Sequence, residues 1–144
     1  MKKVMLLALV SLLVFTTGCS VLDKLAIAGR AAQFFTAWKG QNESALKDGL
    51  TTEVTYNGLK MSNDLAAADL AREEWWTNYV TVGDPKSVTE LDGGTATVTY
   101  EFTIMEKEKP ETERDILMVL IYIKSETFSW KIYSVDINPI WIAL

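Results

Sequence analysis

A single thiol, Cys19, is the side chain whose type and position point most directly to a chemical role. It stands behind a segment that begins Met1-Lys2-Lys3, continues with apolar residues over 4–15 and ends at Gly18. That apolar run is too short and too close to the start for a membrane-spanning helix of the mature protein, and it is typical of an export signal. Cys19 is the only cysteine, so it forms no disulfide within the chain. Cys19 is therefore expected to act as a single thiol, for example as a site of covalent modification.

The segment that ends at Cys19 resembles a bacterial lipoprotein signal. The resemblance implies cleavage between Gly18 and Cys19 and a diacylglycerol on the Cys19 thiol, with acyl chains such as palmitate holding the protein on a membrane. Thr16 departs from the Leu, Val or Ile that is commonest at its place in such signals. An ordinary secretory signal is the alternative, but Thr16-Thr17-Gly18 is a poor A-x-A-like site and Cys19 would then be unexplained.

The predicted organisation has one folded domain behind this signal. We expect a signal peptide over 1–18, a lipidated N-terminus and short tether over 19–21, a domain over 22–137 and an apolar tail over 138–144. The residue directly after the cysteine is Ser20 and not an Asp. In bacteria with two membranes, this resembles the signal for transport to the outer membrane. The predicted location is therefore the bacterial cell envelope, with a lipid anchor.

Composition excludes several function classes. The net charge is −5, and it falls to −7 without Lys2 and Lys3, so charge does not draw this chain to nucleic acid. The absence of histidine removes Ser-His-Asp and Cys-His catalysis and most zinc, copper and haem sites. The acidic residues between Glu106 and Asp115 alternate with basic ones, which indicates a solvated hairpin end and not a calcium loop. We expect no metal and no cofactor.

Hydrophobic spacing predicts three helices before residue 80. Gly40 ends the first, Asn42 caps the second, and Ser62 or Asn63 caps the third. The expected ranges are about 22–38, 42–50 and 64–79, with Leu65, Ala68 and Arg72 on the inner face of the third helix.

Strands are predicted elsewhere. Asn57-Gly58 lies between two short β-type runs and predicts a hairpin within 53–61. Turns are expected at Gly83-Asp84-Pro85 and Asp92-Gly93-Gly94. The later strands are expected over 86–91, 95–106, 116–123 and 128–137. Residues 95–106 alternate as in a half-buried antiparallel strand, whereas 116–123 are apolar on both faces. Helices followed by strands indicate an α+β architecture.

This order of elements is similar to that of the NTF2-like (cystatin-like) superfamily. The resemblance is carried by the stretch 34–42, which reads FFTAWKGQN, by Ala45-Leu46 after it, and by the closing stretch 130–136, WKIYSVD. It implies a cone in which N-terminal helices pack on a curved antiparallel β-sheet. The superfamily hosts enzymes and non-catalytic proteins alike, so the fold alone does not choose a function.

Ketosteroid isomerases and SnoaL-type cyclases of this superfamily define the enzyme hypothesis. Such an isomerase needs a carboxylate base and a tyrosine. Phe34 stands where these enzymes place the tyrosine and Asn57 near the base, and neither can do that chemistry. Weak catalytic candidates are Tyr56, Asp64 and Glu101. The favoured hypothesis is a non-catalytic domain that binds a protein partner or a small apolar ligand, and an enzyme acting on a small hydrophobic substrate in the cone is the alternative.

Aromatic side chains are the other candidates for a site. They line the cone or its mouth, or they are plain core. Neighbours on a helix are about 100° apart, so Trp75 and Trp76 are not both expected to point inward. The tail after Asn138 is expected to fold back on the domain or to dock on a partner chain, and the sheet is expected to offer a homodimer surface. The full set of pocket-lining candidates is Phe34, Phe35, Trp38, Tyr56, Trp75, Trp76 and Tyr79.

Overall fold

Helices come first and long strands last in the chain. A computed structural model describes residues 2–124 and 129–138, with side chains described from residue 21 onward and that of residue 73 excepted. The helices are α1 (Lys2–Lys39), α2 (Glu43–Gly49), α3 (Asn63–Leu70) and α4 (Glu73–Asn78). The strands are β1 (Leu50–Tyr56), β2 (Leu59–Ser62), β3 (Tyr79–Asp92), β4 (Thr95–Glu106), β5 (Lys109–Lys124) and β6 (Trp130–Asn138). Of the predicted tail over 138–144, Asn138 is the last residue of β6, and residues 139–144 lie outside the described residues.

Helix α1 is longer than the sequence predicts, because it begins at Lys2 and the expected helix forms only its C-terminal part. Leu is the commonest residue in the segment before residue 22, and it favours a helix there too. The helix ends as expected: the backbone N–H of Gly40 donates to Thr36 O at 2.9 Å, and Gln41 takes a left-handed φ of 53°. Among the helices with described side chains, none is long and apolar enough to cross a membrane.

A curved sheet with strand order β2-β1-β6-β5-β4-β3 forms the second half of the domain. Each pair of neighbouring strands is antiparallel, except the pair β1 and β6, which is parallel. The alternation predicted for β4 is confirmed, since Ala96, Val98, Tyr100, Phe102 and Ile104 are buried under the helices. The predicted α+β class and its helix-covered sheet are therefore confirmed.

The predicted turn at Gly83-Asp84-Pro85 is instead a bulge within strand β3. Pairing with β4 shifts register between Val82 and Lys86, and Gly83 has a φ of 71°. Strand β3 is at the edge of the sheet, where Pro85 removes no ladder hydrogen bond from an inner strand. The turn residues therefore bend a continuous strand.

The predicted third helix is two helices, α3 and α4, which meet at a break. Ser62 caps α3 as expected, through its hydroxyl oxygen and the Leu65 N–H at 3.3 Å. After Ala71 the backbone of Arg72 opens to a ψ of 124°, which stops the helical ladder. The Gln41 side chain donates to the Arg72 carbonyl at 3.0 Å, and this carbonyl also accepts from the Trp75 N–H at 3.3 Å, so a residue after α1 stabilises the break.

The predicted hairpin at Asn57-Gly58 is confirmed, and Asn57 also ties this hairpin to the sheet. Both residues have positive φ, 47° and 82°, as a two-residue hairpin turn requires. The Asn57 N–H donates to Val135 O at 2.9 Å, and Asn57 Oδ1 accepts from the Ile137 N–H at 2.8 Å. Asn57 therefore fixes the turn through its backbone conformation and the β1–β6 junction through its backbone N–H and its side-chain oxygen.

Replacing Asn57 should lower stability in two separable steps. Asn57→Ala should lower the free energy of unfolding by about 2 kcal/mol, because Ala resists positive φ and the part-buried Ile137 N–H loses its acceptor. Asn57→Gly keeps the turn and loses only the acceptor, so it should cost about 1 kcal/mol. Urea unfolding followed by tryptophan fluorescence measures both. Equal values for the two variants would contradict the role given to the left-handed turn.

Candidate functional site

An apolar groove lies between the β1–β2 hairpin and helix α3, and we call it the hairpin groove. Its volume is about 630 Å³, within the range of about 300–1,000 Å³ usual for small-molecule sites. Leu59 and Leu65 are 67% and 64% exposed at its opening, which is unusual for large apolar side chains. The lining residues are Tyr56, Asn57, Leu59, Met61, Leu65, Ala68, Asp69 and Arg72.

The local structure explains why these side chains meet. Leu59 and Met61 are two residues apart on β2 and so lie on one side of the strand. Helix α3 buries a different face, made of Ala66, Ala67 and Leu70, against the core. The stripe predicted as its inner face, Leu65, Ala68 and Arg72, lines the groove instead. The helix thus has a second apolar face that the described residues 21–124 and 129–138 leave exposed.

Polar side chains lie at one end of the hairpin groove. Tyr56 is buried, and its phenol is hydrogen-bonded to Asp69. Burial, followed by this hydrogen bond, raises the pKa of Tyr56 well above its usual range, so the phenol stays neutral and donates to the carboxylate. Asp69 Oδ1 also lies 2.7 Å from Arg72 Nη2. Arg72 is more than half exposed, so its remaining N–H groups are available to an acceptor at this end.

The catalytic candidates do not come together. Tyr56 lies in the hairpin groove, but Asp64 forms an exposed ion pair with Lys47 at 2.6 Å. Glu101 is exposed on the opposite face of the sheet, in a polar depression with Lys86 and Asp115. Phe34 is buried on α1, on the side of the domain that faces α2 and β6, and it also lies away from the groove.

Sequence reasoning missed Asp69 and Arg72 as partners of Tyr56. Their i, i+3 spacing was a visible signal for an ion pair on one helix. Nothing local indicated that the buried Tyr56 of β1 would reach the same carboxylate, since that contact depends on how the hairpin packs on α3.

Most of the aromatic candidates form a packed cluster inside the domain. Phe35 stacks on Tyr100 with ring centroids 5.3 Å apart and interplanar angle 4°. Trp38 is fully buried and lies edge-on to Trp76 at 5.0 Å and to Trp75 at 6.0 Å. These rings fill the space between α1, α4 and β4.

The expectation that Trp75 and Trp76 do not both point inward is wrong, because they are 6% and 8% exposed. Helix α4 has only six residues and starts at a new angle after the break. Both of its faces are therefore covered, one ring meeting Trp38 and the other meeting Trp38 and Phe35.

Tyr79 lies outside this cluster, at the start of β3. It is buried, and its hydroxyl accepts from Arg114 Nη2 at 3.0 Å. The Arg114 guanidinium also stacks over the Tyr79 ring, 5.3 Å from its centroid. This pair fixes the end of the sheet next to the charged β4–β5 turn.

Metal ligands do not cluster in the part of the chain whose side chains are described. No three carboxylates, thiols or imidazoles come together there. In the charged β4–β5 turn, Glu106 pairs with Lys109 at 2.7 Å.

Comparisons with known proteins show the fold. No protein-family model matches the sequence, and no curated protein matches it. Solved structures do match. A candidate ketosteroid isomerase from Shewanella frigidimarina is 18% identical, with a TM-score of 0.62, over 76% of this chain and 92% of that chain.

Two further structures agree. A candidate dehydratase of the NTF2-like family from Streptomyces avermitilis is 15% identical, with a TM-score of 0.64, over 85% of this chain and 99% of that chain. An NTF2-like protein of unknown function from Pseudomonas putida is 8% identical, with a TM-score of 0.67, over 81% of this chain and 86% of that chain. At these identities the likeness establishes the NTF2-like fold and leaves activity open.

Proposed function

We propose that this chain is a lipid-anchored protein of the bacterial cell envelope whose NTF2-like domain binds a small apolar ligand without catalysis. The observation that carries the binding role is the hairpin groove, in which exposed apolar side chains surround a cavity with a charged end. The signal-like segment before Cys19 supports the anchor. An apolar segment of a protein partner is the other occupant that this groove suits.

The chemistry of the groove favours a ligand with an apolar body and an acceptor at one end. Leu59, Met61 and Leu65 offer apolar contact, and burying such surface stabilises a complex by about 25 cal/mol per Å² before the costs of association. Arg72 offers N–H donors and a positive charge at the polar end. A fatty acid or a similar amphiphile has this combination.

An enzyme of the ketosteroid-isomerase or SnoaL type is the second candidate. Tyr56 beside Asp69 supports it, because a phenol and a carboxylate meet at the edge of an apolar groove. Against it, Asp69 is engaged by both Tyr56 and Arg72, so accepting a substrate proton would require one of these contacts to open. A rate of isomerisation or dehydration that falls with Asp69→Asn would favour the enzyme.

Blocking the hairpin groove should abolish binding of an amphiphile. We expect the chain from Ser20 onward to bind dansyl-undecanoate, a fluorescent fatty acid, in a saturable manner. Ala68→Trp places a large side chain in the groove from an exposed helix position and should weaken binding at least about tenfold. Arg72→Gln removes the positive charge at the polar end and leaves the Asp69 carboxylate without its ion-pair partner, so it should weaken binding of an anionic amphiphile about fivefold. Fluorescence titration measures both, and native mass spectrometry shows whether a ligand is carried from cells.

The matched control is Ala45→Trp, which adds the same side chain at an exposed position of α2 outside the groove. It should leave the titration unchanged. Equal binding by Ala68→Trp and the parent chain would remove the groove from the proposal. A partner protein that binds the parent but not Ala68→Trp, with no amphiphile bound, would assign the groove to that partner.

A further inference from the structure

A second cavity lies between helices α1 and α2 and strands β5 and β6. We call it the α1–α2 cavity, and its volume is about 260 Å³. Its walls include Arg30 and Phe34 of α1, Tyr122 of β5, and Trp130 and Ile132 of β6. It shares no lining residue with the hairpin groove, so the two sites can be tested independently.

Two residues that line it carry a buried polar atom with no hydrogen-bond partner among the residues that the structure describes. The Tyr122 hydroxyl and the Trp130 Nε1 belong to side chains that are 2% and 3% exposed. A buried donor left without an acceptor costs about 1–3 kcal/mol, and native proteins rarely keep two such groups at one place without a use for them. Both groups are hydrogen-bond donors, and a Trp N–H can only donate. The cavity therefore suits an acceptor.

The charge at the cavity favours an anionic acceptor. Arg30 Nη1 donates to the Trp130 backbone carbonyl at 3.3 Å, which holds the guanidinium at the β6 side of the cavity. Arg30 has further N–H groups free to bind an anion. Burial raises the pKa of Tyr122 well above its usual range, and the Arg30 charge only partly opposes this rise, so the phenol stays protonated and able to donate. Asp48 is exposed and also lines the cavity, and its negative charge disfavours a ligand that carries two carboxylates.

Shape and volume limit the ligand further. The Phe34 and Ile132 side chains make part of the wall apolar, and Gln33 adds a polar amide to it. A volume of about 260 Å³ is just below that of typical drug-sized sites, so a single ring or a short chain fits and a long acyl chain does not. Gly49 lines the α2 side of the cavity next to Phe34, and an added Cβ there would lie in ordinary van der Waals contact, 3.5 Å from Phe34 Cδ2.

We propose that the α1–α2 cavity binds a small monocarboxylate with an apolar body. Its carboxylate accepts hydrogen bonds from Tyr122 and Trp130 and is balanced by Arg30, and its apolar part packs on Phe34 and Ile132. This site is separate from the groove of the proposed function and does not depend on it.

The test uses the full chain as purified, with or without a lipid anchor, and para-fluorobenzoate as the probe, observed by ¹⁹F NMR. Saturable broadening of the probe signal is expected. The neutral para-fluorobenzamide should bind at least about fivefold more weakly, because it lacks the charge that Arg30 balances. Tyr122→Phe removes one donor without changing the shape of the ring, and it should weaken benzoate binding about tenfold.

A second variant keeps the test independent of folding in the core. Ala45 lies at the mouth of the cavity and is exposed on α2, so Ala45→Trp blocks entry without disturbing buried residues. It should abolish benzoate binding, whereas Ala68→Trp, in the hairpin groove, should not change it. The proposal would be overturned if the parent chain shows no saturable binding of the probe. It would also be overturned if the Tyr122→Phe and Ala45→Trp variants bind the probe as tightly as the parent chain does. Dansyl-undecanoate bound at the same time would show that the proposed function survives.

Discussion

A Cys19→Ser chain is expected to incorporate no labelled palmitate when it is expressed in a bacterium that lipidates exported proteins. The parent chain should incorporate it and partition into the detergent phase. A serine hydroxyl has nearly the size of the thiol but cannot form the thioether that would hold diacylglycerol. The expected change is therefore from full labelling to background. Autoradiography and the mass of the N-terminal peptide measure it.

The matched control is Ser20→Ala, which changes the adjacent side chain and keeps the thiol. It should be labelled like the parent, and its N-terminal peptide should begin at Cys19 with the mass of the acyl chains added. Palmitate on the Cys19→Ser chain would contradict the anchor, as would a parent N-terminus that begins elsewhere without lipid.

The exposed apolar residues of α1 closest to Cys19 are consistent with the proposed anchor. Val21, Leu22 and Leu25 are all exposed on α1 only a few residues after Cys19. A helix rises about 1.5 Å per residue, so Leu25 lies about 9 Å from Cys19 along α1. In the proposed lipoprotein this apolar face is next to the acyl chains, and the bilayer surface would cover what the domain leaves exposed.

Local signals in the sequence predicted the features that local contacts decide. Asn42 accepts from the Ala45 N–H at 3.1 Å, and Asn57-Gly58 forms the hairpin. In each case the side chain or the permitted φ acts within a few residues, so the sequence shows the cause directly. The alternation of β4 worked for a similar reason, because one face of this strand is buried along its whole length.

Features that depend on distant contacts could not be predicted in this way. The sequence around Ala71 is compatible with one continuous helix, and the Arg72 carbonyl at the break accepts from the side chain of Gln41, 31 residues earlier. Reading 64–79 as one helix then led to the wrong conclusion about Trp75 and Trp76. The contact between Tyr56 and Asp69 likewise needs a hairpin packed on a helix, which no periodicity reports.

Truncation of Trp38 should have the largest effect on stability. Trp38→Ala should lower the free energy of unfolding by about 4 kcal/mol, the usual cost of emptying a large buried aromatic site. Trp38 is fully buried, and its ring contacts those of Phe35, Trp75, Trp76 and Phe102. Domains of this size are stable by about 5–15 kcal/mol. The variant should therefore unfold at a much lower urea concentration, and near-UV circular dichroism should weaken as the ring cluster loosens.

Two further variants separate packing from the mere loss of a large apolar side chain. Trp38→Phe keeps an aromatic ring in the cluster and should cost about half as much. Leu65→Ala removes an exposed side chain of the hairpin groove and should change stability by no more than about 0.5 kcal/mol. These variants test whether the stability of this domain comes from the ring cluster and the proposed binding surface from the face of α3 that the described residues leave exposed. A Trp38→Ala chain as stable as Leu65→Ala would contradict that division, since it would mean that the ring cluster contributes little to the fold.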